Sequence, residues 1–272
     1  MSLFDIKTFA EWDTEIQQLA PPRWLIENFL QADSVIQVSG QAKISKKTWF
    51  ALVCAICVAS GKKLGYLQAT EQAPVLIIEH EDAAVTFHNR FKLLERGYGL
   101  DFHKLPLYIM HRQSFLLENE IAIDELRQFI SDKGIKLVLL DTFVKSVQGD
   151  ENDATIMTKA LRQMDKLRIG GASVMYLHHL NKPQQYSPKY GPPERDIDHE
   201  VRGSSALGGN YDQHFALRQW PTQYEKDQDG TKIKIENEDL HLVVRSKSEE
   251  EKDFKLQWTI NGTQAYMEIK RL

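Results

Sequence analysis

The stretch VIQVSGQAKISKKT, residues 35–48, runs from an apolar segment into Gly40, a group of lysines and Thr48, and the run WFALVCAICVAS follows directly at 49–60. Apolar strand, polar loop and apolar helix in that order put backbone N–H groups and lysines at a helix N-terminus, where an anion is favoured. The pattern approximates G-x-x-x-x-G-K-[ST]. In that motif glycines let N–H groups turn inward on phosphates, the lysine reaches the outer phosphates and the hydroxyl binds Mg²⁺. Gly40 opens the loop, but the span from Gly40 to Thr48 is one residue longer than the motif, and no second glycine precedes the lysine. Lys46 takes the missing glycine's place if Lys47 is the phosphate lysine; Ser45 takes it if Lys46 is. A lysine-rich turn with no phosphate role would read the same way, so the stretch needs support from elsewhere in the chain.

Two further apolar runs supply it. VLIIEHED, residues 75–82, ends in Glu79, Glu81 and Asp82, and KLVLLDT, residues 136–142, ends in Asp141 and Thr142. Glu81 stands where a carboxylate would polarise water for in-line attack on a terminal phosphate. Asp82 is expected to cap the following helix. A charged residue seldom ends so apolar a strand without a partner, and for Asp141 a Mg²⁺ ion, reached through water, supplies one. A fourth run, SVMYLHH at 173–179, ends in His178 and His179. Adjacent strand residues point to opposite faces, which disfavours joint metal ligation and leaves one histidine to sense a phosphate or simply to pack.

The 272 residues are 42% hydrophobic and 26% charged with a formal charge of -4, the profile of a soluble globular chain. No bulk basic charge draws the chain to nucleic acid, so any such contact must come from local loops. Cys54 and Cys57 have C-x-x-C spacing but lie inside an apolar run with no second pair, and are expected to pack as small core residues in a reducing cytoplasm. The opening MSLFDIKTFAEWDTE lacks a signal-peptide pattern, and no apolar stretch reaches membrane length.

Residues 1–33 read as a lead-in with a helix near TFAEWDTEIQQL and a Pro21-Pro22 break, and residues 34–272 as one α/β domain. Strands are predicted at 35–39, 75–79, 107–110, 136–140 and 173–177, with helices at 47–60, 82–96, 120–133 and 153–169 between them. Continuously apolar strands separated by helices imply a mainly parallel central sheet covered on both faces. After His179, residues 181–200 form a long polar loop. QHFALRQW, TKIKIE, LHLVVRSK, FKLQWTI and AYMEIK then alternate as antiparallel strands would, added at the sheet edge.

Taken in order, PPRWLIENFL, EDAAVTFHNRF, LVLLDT, LHHLNK and RGSSALGGNYD give the chain, over about residues 21–247, a resemblance to the RecA-like P-loop ATPases. The likeness is closer to the AAA_25 group, which includes the RepA-type hexameric replicative helicases of plasmids. The resemblance implies ATP and Mg²⁺ as cofactors, with Lys47 and Thr48 as phosphate and Mg²⁺ residues, Asp141 as the Walker B carboxylate and Glu81 as catalytic base. His179, or less favourably His178, would be the sensor. Arg90 in FHNRF matches a family arginine whose role the sequence leaves open. The family also implies a homo-oligomeric ring in which Arg202, Arg245 or Lys247 reaches a neighbour's nucleotide. The loops after the strands at 136–140 and 173–177 would hold single-stranded DNA, with Lys145, Lys182, Lys189 and Arg195 on phosphates and Tyr186 or Tyr190 as stacking faces. Acidic neighbours such as Asp150, Glu151, Glu194 and Asp196 point to a weak, nucleotide-gated grip. The expected function is an ATP-driven DNA motor serving replication of a mobile element, with other replication proteins as further partners. The alternatives are a nucleotide-binding scaffold that scarcely hydrolyses ATP, and a filament-forming recombination ATPase.

Overall fold

The computed structural model describes residues 6–18, 24–41, 44–113, 115–180, 201, 203, 207–219, 223–226, 232–235, 239–247 and 249–272. Its elements are α1 (Phe9–Gln18), β1 (Trp24–Ile26), β2 (Leu30–Gln31), β3 (Val35–Gly40), α2 (Lys47–Ser60), β4 (Lys63–Leu64), β5 (Leu67–Gln68) and β6 (Val75–Glu79). α3 (Ala84–Tyr98), β7 (Leu107–His111), α4 (Glu120–Lys133), β8 (Leu137–Asp141), α5 (Ala154–Asp165) and β9 (Ser173–His179) follow. The chain closes with β10 (Gln213–Gln219), β11 (Gln223–Lys226), β12 (Lys232–Ile235), β13 (Leu240–Ser246), β14 (Lys252–Ile260) and β15 (Ala265–Arg271).

Nine of these strands form one sheet in the order β15-β14-β13-β10-β3-β9-β8-β6-β7. From β10 to β7 every pairing is parallel; β13, β14 and β15 add antiparallel. Side chains alternate across the sheet. Val75, Ile77, Leu137 and Leu139 join the core under α2 and α3, while Leu76, Ile78, Val138 and Leu140 join the one under α4 and α5. Two buried faces explain why these strands read as unbroken apolar runs. The fold is therefore α/β, a mainly parallel sheet flanked by helices with antiparallel strands at its C-terminal side. No described helix is long and apolar enough to cross a membrane.

From Phe50 onward α2 is buried all round and nearly all apolar, which also accounts for Cys54 and Cys57; burial pushes the Cys57 thiol up to about 12. The lead-in region divides in two. α1 is exposed, whereas the β1-β2 hairpin delivers Phe29 into an aromatic cluster with Phe50, Phe215 and Phe254, at centroid distances of 6.2, 5.2 and 5.6 Å.

The later strands depart from expectation in two places. β10 does not extend an edge antiparallel; it pairs parallel with β3, Phe215 opposite Val38, inside the sheet. Lys232–Ile235 pairs only with β11 in a separate hairpin. Alternation with period two marks a half-covered strand but carries no information about its partner or direction, so the sequence pattern was silent on both points.

Candidate nucleotide cleft

Parallel strands bring their C-terminal ends to one edge of the sheet, and the four runs singled out in the sequence all end there. Gly40 of β3 lies opposite His179 of β9, and Glu79 of β6 opposite Asp141 of β8. Beside these ends opens a cleft of about 480 Å³. Lys46, Lys47, Thr48, Glu81 and His179 line it, together with Trp49, Asp82 and Arg90.

The loop that opens the cleft is compact. Ser45 donates to the Gln41 carbonyl through both its N–H, at 3.2 Å, and its hydroxyl, at 2.8 Å. This folds Ser45 back onto Gly40, where a Cβ would stand 2.2 Å from the Ser45 Oγ, so no larger residue fits. Lys46, in the place of the missing glycine, has φ +52° and ψ +29°. The backbone thus adopts the left-handed conformation that glycine reaches freely, with a side chain in place. Lys46→Gly is expected to raise stability by about 1 kcal/mol, measured as the shift in the denaturant midpoint at unchanged slope.

Lys47 opens α2 with only 7% of its surface exposed, and burial lowers its pKa against the pull of Asp141 and Glu81. Its ammonium lies 3.3 Å from His179 Nδ1, which accepts from it. His178 points the other way and is fully buried, its ring edge-on to Phe143. Asp141 is buried at 2% exposure; burial raises its pKa to about 6, opposed by the Thr48 hydroxyl and by Lys47. Neither carboxylate oxygen completes a hydrogen bond. Two orphaned buried oxygens next to a threonine hydroxyl fit a hard divalent cation, so the donor set suits Mg²⁺.

Glu79 is a residue whose role the sequence did not disclose. It is fully buried, and its Oε1 accepts from the backbone N–H groups of Glu81 at 2.5 Å and Asp82 at 2.7 Å, while Oε2 has no hydrogen-bond partner. The carboxyl side chain therefore holds the turn on which exposed Glu81 enters the cleft. The available signal was a glutamate closing a four-residue apolar run at the end of a buried strand. Burial, with Asp141 adding to it, pushes Glu79 up to about 8. Folded-state pKa values raised for both carboxyls mean that the native protein binds more protons than the unfolded chain. The contribution of these two carboxyls to the stability of the nucleotide-free protein should accordingly fall as pH rises from about 4 to about 8. Glu79→Gln keeps an acceptor for both N–H groups and should flatten the upper part of that slope, read from melting temperatures across the range.

Asp82 does not cap α3. The cap position is Ala83, with no side-chain bond, and the Asp82 carboxylate is taken by an ion pair with Arg90, whose guanidinium also lies 5.6 Å from the centre of the Trp49 ring. Lys145 is exposed beyond β8, its Nζ donating to the His80 carbonyl at 3.4 Å. Arg245 and Lys247 are not brought to this cleft. They lie at and just beyond the end of β13, which runs antiparallel beside β10, and so stand near the opposite end of β3. There Arg245 pairs with Glu251 at 2.9 Å and Lys247 with Asp212 at 3.6 Å. Arg202, Lys182, Lys189, Arg195, Tyr186 and Tyr190 lie outside the described residues.

Among curated proteins none matches the chain. One family does, the AAA_25 AAA domain, whose model matches residues 3–185. Such a domain is nucleotide-binding, takes ATP and typically Mg²⁺, and supports ATPase activity in general. With that match over most of its length, the chain belongs to the AAA_25 family of RecA-type P-loop NTPase domains.

Proposed function

We propose that the chain is the subunit of a ring-forming DNA motor of the RepA-like replicative helicase type, hydrolysing ATP in this cleft. The carrying observation is the convergence of Lys47, Thr48, Glu81 and His179 on one cleft with the orphaned Asp141 carboxylate behind it. In this reading Lys47 and the loop N–H groups hold the outer phosphates, and Thr48 and Asp141 hold Mg²⁺, which when bound offsets phosphate charge. Glu81, fixed through the Glu79 turn, orients a water and takes its proton as the water oxygen bonds to the γ-phosphorus. The bond to the β–γ bridging oxygen breaks and ADP carries that oxygen away. His179, bonded to Lys47, ends the strand that leads into residues 181–200, and so links the phosphate site to the segment expected on DNA. Arg202, Arg245 and Lys247 are the cationic candidates to reach a neighbour's nucleotide, the last two by exchanging their present carboxylate partners for phosphate. Lys145, Lys182, Lys189 and Arg195 are the candidates for DNA phosphates.

A second reading, a nucleotide-controlled scaffold, is favoured by one observation, the lengthened loop with Lys46 in a glycine conformation. Strand displacement on a forked DNA, together with sedimentation in ATP and in a non-hydrolysable analogue, separates the two. A motor unwinds in ATP only and sediments as a ring in either nucleotide. A scaffold assembles in both and unwinds in neither.

A further inference from the structure

We propose that Trp49 is the platform on which the base of the bound nucleotide stacks, an inference that rests on assigning the cleft to a nucleoside triphosphate. Of the fourteen residues of α2, only Thr48 and Trp49 are not buried, and both line the cleft. The ring packs in part against the core beneath α2 and in part borders a cleft of otherwise polar and charged groups. Among the described lining residues it is the only apolar aromatic one, and the others have the chemistry of phosphates, cations and water. A flat heteroaromatic base is the part of a nucleotide that those groups do not address and that an indole covers well.

The ring is also held in place. Arg90 stands over it at 5.6 Å and is itself tied to Asp82, and Trp258 of β14 meets it edge to face at 6.2 Å and 61°. A ring braced from two sides loses little freedom when a base settles on it, so more of the stacking appears as affinity. β14 lies beyond the family-matched residues 3–185, which gives this C-terminal strand a part in the nucleotide site. Stacking uses the π-face that every base has, so the platform favours nucleotide over bare polyphosphate, with larger purines ahead of pyrimidines and little choice among purines.

Calorimetric titration of Mg²⁺-ATP and Mg²⁺-tripolyphosphate into wild type, Trp49→Ala, Trp49→Leu and Trp49→Phe tests this. ATP should bind wild type more tightly than tripolyphosphate. Trp49→Ala should weaken ATP by about 10- to 100-fold, bringing it near tripolyphosphate, whose own affinity stays unchanged. Trp49→Leu fills the space without a flat face and should behave alike, whereas Trp49→Phe should keep most of the affinity. If Trp49→Ala or Trp49→Leu binds ATP as wild type does, the base sits elsewhere and the proposal is overturned. If wild type binds neither ligand, the assignment of the cleft itself falls, a different failure.

Discussion

Glu81→Gln is expected to lower kcat for ATP by about 10²- to 10⁴-fold and to leave ATP affinity close to wild type. Among the described lining residues the substitution removes the one carboxylate free to face a water, since Asp82 is committed to Arg90 and Asp141 lies buried behind Thr48. Glutamine still accepts and donates hydrogen bonds, so the side chain can touch the water but not take its proton. The turn beneath it is set by Glu79 through backbone N–H groups of residues 81 and 82, and these are indifferent to the side chain at 81. Binding and chemistry therefore separate. Single-turnover hydrolysis alongside equilibrium ATP titration reads both, and loss of affinity in parallel with rate would place Glu81 in phosphate binding instead.

Lys47→Ala is expected to have the larger effect on binding. Lys47 is only 7% exposed and its ammonium lies 3.3 Å from His179, in a setting where burial already weakens its hydration. A charge-assisted contact in so dry a setting contributes about 1.5–3 kcal/mol, or roughly 10- to 150-fold in affinity. Its share of transition-state stabilisation is lost as well, so kcat/KM should fall by more than the affinity does. The same variant leaves Asp141 buried without its nearest cation, and its carboxyl should rise further above the ordinary aspartate range. Mg²⁺-dependent ATP titration should show a weakened cation site too. An unchanged ATP affinity would transfer the phosphate role to Lys46, the other reading of the loop.

Much of the fold was legible because the strands that build the cleft are buried on both faces. VLII and LVLL read as unbroken apolar runs and VIQV as an apolar run interrupted by Gln37, and each gives way to polar residues at the edge where chemistry is possible. The helices between them were expected from the sequence, and the structure shows how two of them begin: Asn119 accepts from the Ala122 N–H just before α4, and Asp153 accepts from the Thr155 and Ile156 N–H groups just before α5. What escaped depends on quantities that a string of residues does not carry. The lysine at 46 looked like a lost glycine, whereas backbone angles show the glycine conformation retained. Glu79 was read as a flank of Glu81, and only its burial and two accepted N–H bonds reveal a support. Trp49 passed as the start of an apolar helix because adjacency to Thr48 does not say which side chain faces a cleft. Arg245 and Lys247 sit in a pattern that gives alternation but no partner, and the pairing that sends them away from this chain's cleft is visible only in the register of β13.

Turnover of ATP in this cleft is what separates a motor from a scaffold. Steady-state phosphate release with Mg²⁺, with and without single-stranded DNA, in wild type beside Glu81→Gln, measures it directly. The predicted result is DNA-stimulated release in wild type that Glu81→Gln abolishes. Background release in both proteins, with ATP still bound, would contradict it and leave a domain that uses ATP to assemble and not to move.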